Sequence, residues 1–280
     1  MKCRTCGAEV LLHVERCHVC GDDVGFPNVR AAESIDEAAA LEGRLDAART
    51  TARARGTAVI LESFGSEVRK SHAVLARPLG DVDAIVKSHN VLYVSFHSQV
   101  RAGARIPENN DWDRGRCAAE STIHPIYYDK INYTALSLDG FGVLWWGEYS
   151  MSLKELHIAN RATVFEENPF LFCARHRIIA GKRGPFGYRA TWRRRSDLAM
   201  AKLAHKLKPS TEPKDYPSIL LDQATSRGDA DFIECHVYGP MHPQSLERVV
   251  GPKPKARHDR IIWKSVCDAL RKAGVIVEEV

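Results

Sequence analysis

Asp231-Phe232-Ile233-Glu234-Cys235-His236-Val237-Tyr238-Gly239-Pro240 is the stretch on which the reading of this chain turns. Period-two alternation puts Ile233, Cys235 and Val237 on one side of a strand, and Phe232, Glu234, His236 and Tyr238 on the other. Gly239-Pro240 ends it, because proline has no N–H for a ladder and glycine accepts the turn geometry. A carboxylate, an imidazole and a phenol are therefore presented together at a strand end. The plain reading is a half-exposed strand with a polar outer face. The chemical reading is a reactive carboxylate at Glu234.

Upstream, the texture is of short strands. Val91 to His97 is β-rich and follows a turn at Ser88-His89-Asn90, and Gln99 to Arg116 is a long polar loop. Ile131 to Ser137 is a strand, Asp139 to Gly142 a hairpin turn, and Val143 to Gly147 the returning strand. Ser150 to Lys154 extends again, Lys154 to Asn160 is a short helix, and Phe170 to Cys173 is strand-like beyond Ala162-Thr163-Val164-Phe165. Downstream, Ile261, Ile262, Val266 and Leu270 mark an amphipathic helix before a terminal strand at Val275 to Val277. Short strands interrupted by small helices predict an α+β fold.

The N-terminal part differs. Cys3-Arg4-Thr5-Cys6-Gly7 and Cys17-His18-Val19-Cys20-Gly21 are two Cys-x-x-Cys knuckles, each closed by a glycine that permits the chain to fold back under a metal. Four thiolates at Cys3, Cys6, Cys17 and Cys20 make a closed structural zinc site, with His13 or His18 as the alternative to one of the cysteines, and the pattern is that of a zinc ribbon. A thioredoxin-like redox pair is the alternative, and it would not need the second knuckle. Residues 22–29 read as a linker. Ser34-Ile35-Asp36-Glu37 opens a helix with a capping-box pattern, carried on to Gly56, and a second helix is predicted from Ala58 to Leu75, ended by Pro78. The predicted domains are a zinc ribbon over 1–28, a helical adaptor over 30–88 and an α+β domain over 89–280.

Composition is that of an ordinary globular chain, with no apolar run near the ~20 residues that span a bilayer and no apolar segment after Met1-Lys2-Cys3-Arg4 of the kind a secretory signal needs. The cytoplasm is the expected compartment, and no membrane partner is expected. The formal charge is +5, but eleven Lys and Arg stand against one acid between Cys173 and Lys208, so this segment carries +10 and the remainder −5. Such asymmetry predicts a nucleic-acid partner for the segment 173–208, with a solvated face as the bland alternative.

The run from Glu234 to Pro240, followed by Ser245-Leu246-Glu247-Arg248-Val249-Val250, resembles the strand of ADP-ribosyltransferases that carries the catalytic glutamate before a Gly and a short helix. The resemblance covers residues 91 to 250 at most. It implies small antiparallel sheets with NAD, the substrate, held in a cleft between them, Glu234 as catalytic acid, His97 on a first strand, and Ser137 or Tyr149 on a second. Clear Ser-Thr-Ser and Tyr-x-x-x-Tyr motifs are missing, which leaves the subclass and the acceptor open, nucleic acid or protein. The chemistry is intelligible: cleaving the nicotinamide–ribose bond passes through an oxocarbenium-like state that a fixed carboxylate stabilises. Arg161 is a candidate to hold a pyrophosphate bidentately, with a salt bridge to Glu166 or Glu167 as its alternative. His97 is equally readable as a buried structural histidine, and Trp145-Trp146 as core rather than a stacking platform. No Walker, dinucleotide-binding or zinc-protease motif is present. The rival reading is a non-catalytic zinc-ribbon protein that binds nucleic acid.

Overall fold

The computed structural model of the chain describes residues 2–87, 93–179, 181–225 and 228–280. Ten strands run in chain order as β1 (His72–Arg77), β2 (Ile131–Ser137), β3 (Tyr149–Leu153), β4 (Ala162–Phe165), β5 (Arg189–Thr191), β6 (Leu221–Asp222), β7 (Asp231–Phe232), β8 (Glu234–Tyr238), β9 (Leu246–Gly251) and β10 (Ile276–Glu279). Eight form one sheet in the order β10-β9-β3-β1-β2-β8-β4-β5, while β6 and β7 pair separately. All neighbours in the large sheet are antiparallel except β9 and β10. Helices and strands mix as expected, but the strands gather in one large sheet and a two-stranded ribbon rather than in small antiparallel sheets.

The helices are α1 (Pro27–Ala32), α2 (Ile35–Ala54), α3 (Ala58–Val68), α4 (Leu79–Lys87), α5 (Phe96–Arg101), α6 (Asp111–Ile123), α7 (Glu155–Ile158), α8 (Pro169–Arg175), α9 (Arg195–Leu203), α10 (Tyr216–Leu220) and α11 (Arg257–Lys272). One continuous core runs from Leu41 and Leu45 of α2, through Ala73 and Leu75 of β1 and Cys235 and Val237 of β8, to Trp263 and Leu270 of α11. Ser34 caps α2 as the sequence predicts, accepting from the Glu37 N–H.

Three expectations fail for one reason: a short apolar run bounded by polar residues does not disclose its period. Helix α3 stops at Val68, and Val74-Leu75 belong to β1, a strand buried between β3 and β2. Strand β1, within the segment 30–88, thus lies in the same sheet as β2, β3 and β8. Phe170 to Cys173 is helical in α8, whose start is written in Asn168-Pro169: the Asn168 side chain caps the Phe170 N–H, and Pro169 sits in the first turn. Ser245 to Val250, where the resemblance implies a short helix, leads instead into the strand β9. Further, Phe96 and His97 open α5 under a Ser95 cap, and the polar stretch from Gln99 to Arg116 holds most of the first half of α6, capped by Asn110. Ser88 to Leu92, assigned to a turn and the start of a strand, lie outside the described residues. Beyond the turn at Asp139 to Gly142 the chain does not return as a strand: Leu144–Trp146 is a single tight turn, and β2 pairs with β1 and β8.

The basic segment is mostly spent internally. Arg175 pairs with Glu166 and Glu167, Arg189 with Glu37, Arg194 with Glu42 and Asp197, and Lys202 and Lys206 with Asp231. Arg195 is buried, stacked on the Trp192 ring with 4.2 Å to the centroid, and donates to the carbonyls of Trp192 and Arg69. The charge surplus is thus largely answered by acids brought from other parts of the chain, which composition along one segment does not reveal. Replacing Arg195 with Gln is expected to cost about 1–3 kcal/mol, because the buried Trp192 carbonyl and the part-buried Arg69 carbonyl lose a charged donor. Urea denaturation of the variant measures this, and an unchanged midpoint would show that Arg195 is not a structural residue.

Candidate functional site

The predicted parity of β8 holds. Cys235 and Val237 point into the main core, while Glu234, His236 and Tyr238 lie on the opposite face. That face is not solvated. Glu234 and His236 are each about 1% exposed, since β8 is central and α6 and its neighbours cover it. The expectation of a half-exposed strand gives way to a strand buried on both sides.

Glu234 forms part of the floor of a cleft of about 350 Å³. One wall is α6, which places Asp113, Arg116 and Glu120 along a single face at helical spacing. The opposite rim carries Trp145, Trp146 and Gly147, and further in lie Tyr133 of β2 and Asn168. Gly147 is required there: it has φ +146°, and a Cβ on it would fall 1.9 Å from the Arg77 carbonyl carbon. Trp146 packs edge-on against Phe232, and the Trp145 indole N–H donates to the Gln223 carbonyl, so both rings are held by the body of the protein while lining the cleft.

The Glu234 carboxylate is gripped at both oxygens. Asn168 Nδ2 donates to Oε1 at 3.0 Å, and His236 Nε2 lies 3.1 Å from Oε2. Burial pushes Glu234 up to about 8, against the pull of the Asn168 hydrogen bond and the Arg116 charge. Burial drives His236 down to about 3, with the nearby Arg189 charge adding to it, and drives His124 down as well. The Tyr133 hydroxyl is held un-ionised by burial and by the Glu120 and Glu234 carboxylates. At neutral pH the floor therefore stores a proton on the acid and leaves both imidazoles neutral.

His97 stands beside this cleft rather than on a strand: its Nε2 lies 2.7 Å from Glu120 Oε2, and its ring is edge-on to Tyr128. Arg116 lies over the Phe96 ring, 4.4 Å from the centroid, with Glu120 Oε1 at 3.5 Å from its Nε. The other expected residues lie elsewhere. Ser137 is buried against Asp139, its Oγ donating to the carboxylate at 2.9 Å. Tyr149 packs on Trp263 and donates to the Pro252 carbonyl, and burial pushes it up to about 12. Arg161 clamps the turn after β8, giving Nη1 to the carbonyls of Tyr238 and Pro240 at 2.7 and 2.8 Å, and makes no salt bridge to Glu166 or Glu167 among the described residues. Each is an apolar-strand or turn residue whose polar tip already has an internal partner.

At the N-terminus, the sulfurs of Cys3, Cys6, Cys17 and Cys20 lie within 4.8 Å of one another. Tetrahedral zinc with Zn–S bonds of about 2.3 Å needs sulfur–sulfur edges of about 3.8 Å, and the Cys3–Cys20 and Cys6–Cys17 pairs stand at 3.7 and 3.6 Å. Knuckle N–H groups of Cys20 and Val19 pull Cys17 down to about 6. Cys20 goes up to about 12: the Asp22 N–H draws it down, but burial and its hydrogen bonds to the other three cysteines prevail. Four thiolates cannot coexist this closely without a cation, so the donor set fits a metal ion. The four-cysteine unit is also tied to β8. Arg30 donates to the carbonyls of Leu11, Leu12, Val14, Val24 and Gly25, Glu15 accepts from the Tyr238 hydroxyl, and the buried Asn28 amide donates to the carbonyls of Arg161 and His236.

No protein-family model matches the chain, and no curated protein matches it. Among the described residues no helix is long and apolar enough to cross a membrane.

The buried acid and imidazoles act on stability in opposite directions. An acid raised from 4.5 to about 8 gives stability that is present below 4.5 and lost as pH climbs to about 8. Imidazoles depressed from 6.5 give stability that is lost as pH falls below 6.5. Between 6.5 and 8 Glu234 loses stability as pH rises, with Glu167, raised to about 7 by burial, adding in the lower part of that window, while the Cys17 thiol, drawn down to about 6, acts the opposite way. Relative to Glu234→Gln, in which every other group still titrates, the wild-type denaturation midpoint should fall over this window; an equal slope in the two proteins would mean that Glu234 is ionised in the fold.

Proposed function

We propose that the Glu234 cleft cleaves NAD and transfers its ADP-ribosyl group to a macromolecular acceptor, with Glu234 as the carboxylate that stabilises the ribosyl cation. The observation that carries this reading is the placement of Glu234: fixed at both oxygens, on the floor of a cleft with two tryptophans on its rim. An oxocarbenium-like transition state needs a negative charge that is already oriented and poorly solvated, and a buried carboxylate on a central strand supplies one. Trp145 and Trp146 offer flat faces for a nicotinamide or adenine ring, and Arg77, Arg105 and Arg116 line the same cleft for phosphates. His97 contributes through Glu120, holding the α6 wall in place.

Because Glu234 rests with its proton on, activity should require its ionisation and rise with pH through about 8. Glutamine keeps the shape and the hydrogen bonds but not the charge, so Glu234→Gln should lower NAD cleavage by ~10²-fold or more. Release of nicotinamide measured on wild type and variant checks this. A fully active glutamine variant, or wild-type protein that neither hydrolyses NAD nor modifies any acceptor, would refute the proposal.

The four-cysteine unit is proposed to hold one structural zinc, which would join four chain positions into a closed site and keep the Arg30 and Asn28 contacts in register with β8. It takes no part in bond breaking. Metal analysis should find one zinc per chain, lost in Cys17→Ser; a variant that keeps its zinc would remove Cys17 from the ligand set. Nucleic acid is the acceptor favoured by the surplus charge of residues 173–208, of which Arg177, Lys182, Arg183, Arg193 and Lys208 are exposed and have no ion pair among the described residues.

A further inference from the structure

On the side of His236 away from the cleft, a second imidazole continues the chain of polar groups. His236 Nδ1 lies 2.7 Å from His124 Nε2, and His124 Nδ1 lies 3.4 Å from the Tyr127 hydroxyl. With the 3.1 Å contact from Glu234 to His236, four buried groups form one unbranched hydrogen-bonded line. Its far end, Tyr127, lines a second cleft of about 580 Å³ between α1, α6 and the 181–187 loop. The α6 helix is the partition: Asp113, Arg116 and Glu120 face the first cleft, and Ser121, Thr122 and Ile123 the second.

We propose that this line is a proton relay through which Glu234 ionises into the second cleft while the first is occupied by substrate. The inference rests on the catalytic role given to Glu234 above. Two arrangements of the hydrogens satisfy every contact. With Glu234 protonated, its O–H donates to His236 Nε2, His236 Nδ1–H to His124 Nε2, and His124 Nδ1–H to Tyr127 Oη, whose own O–H faces the second cleft. With Glu234 ionised, all of these bonds point the other way. Passing from the first to the second, the Glu234 proton forms the His236 Nε2–H bond, the His236 Nδ1 proton forms the His124 Nε2–H bond, the His124 Nδ1 proton forms the Tyr127 O–H bond, and the former Tyr127 proton leaves to water. One proton is released, one carboxylate is left, and no other group changes charge.

That neutrality is what this surrounding demands. His236 is boxed by the Phe165 ring, stacked at 5.4 Å, and by the Tyr133 ring at 4.8 Å, with Thr163 opposite it on β4. The charges that face the line are Arg189 of β5, which acts on His124, His236 and Tyr127; Arg30 of α1, which acts on Tyr127; and Glu120 and Arg116 of α6, which act on His236 and Glu234 respectively. Burial and the Arg189 cation together hold both rings neutral, so a proton passing by way of an imidazolium is disfavoured and a concerted exchange of tautomers is not. A route behind the strand also matters because a substrate filling the first cleft would shut water away from Glu234 on that side.

Nitrogen-15 NMR of histidine-labelled protein, recorded against pH without NAD, reads the two rings directly. The expected result is that His124 and His236 stay neutral and change together from the Nδ1–H to the Nε2–H form as Glu234 titrates, and that neither changes in Glu234→Gln. Rings that keep one tautomer throughout, or that become imidazolium, would overturn the relay. This readout stands whether or not NAD is the substrate, so a tautomer switch in a protein that leaves NAD intact would preserve the relay and sink only the transferase reading. In NAD cleavage, Tyr127→Phe should lower kcat at least about tenfold with KM unchanged, and the loss should vanish at pH values where Glu234 is already ionised. A loss that is the same at every pH would mean that Tyr127 only supports the fold.

Discussion

The contact between Glu234 and His236 is the constraint around which the molecule is arranged. Both side chains sit on one face of a central strand at about 1% exposure, and an acid buried this way is costly unless its oxygens are hydrogen-bonded and its charge is suppressed. Each requirement is met by a different part of the chain. Asn168 holds one oxygen while capping α8, His236 holds the other, and burial keeps the proton on. The four-cysteine unit reaches the same strand through Asn28, which donates to the His236 carbonyl, and through Glu15 and Tyr238. The opposite face of β8 is anchored by the main core. The strand is thus fixed on both sides and at its backbone, and a fixed carboxylate is what transition-state stabilisation by charge requires.

The N-terminal cysteine pattern and the strand that carries Glu234 were the most legible parts of the sequence. Cysteine pairs with glycine closures specify their own geometry, and the alternation from Ile233 to Tyr238 places the same residues on the same faces as the structure does. What the alternation cannot state is whether the polar face meets water or another layer. The layer here is α6, whose inward face is charged instead of apolar. A search for apolar periodicity passes over such a helix, and only the Asn110 cap, accepting from the Asp113 N–H, marked its start.

The candidate site was legible at its centre and obscure at its edge. Glu234 was identifiable because a strand ending in Gly-Pro presents it, and Asn168 could have been found from the helix-start signal Asn-Pro. Tyr133, Arg116 and Glu120 carry no local signal at all: they become neighbours of Glu234 only through strand pairing and the path of α6. Ser137, Tyr149 and Arg161 were chosen by resemblance and by residue type, and each turns its polar atoms to an internal partner. The basic segment teaches the same lesson, since ion pairs to Glu37, Glu42, Glu166 and Asp231 cancel charge that looks free along the sequence.

The central claim is that the first cleft receives the nicotinamide ribose against Glu234. Proton–proton NOEs on the complex of NAD with the Glu234→Gln protein locate the bound ligand without depending on turnover. The account predicts NOEs from the nicotinamide and its ribose to the rings of Tyr133 and Trp146. NOEs to Tyr127 or Phe186 of the second cleft instead, or none to either cleft at saturating NAD, would contradict it.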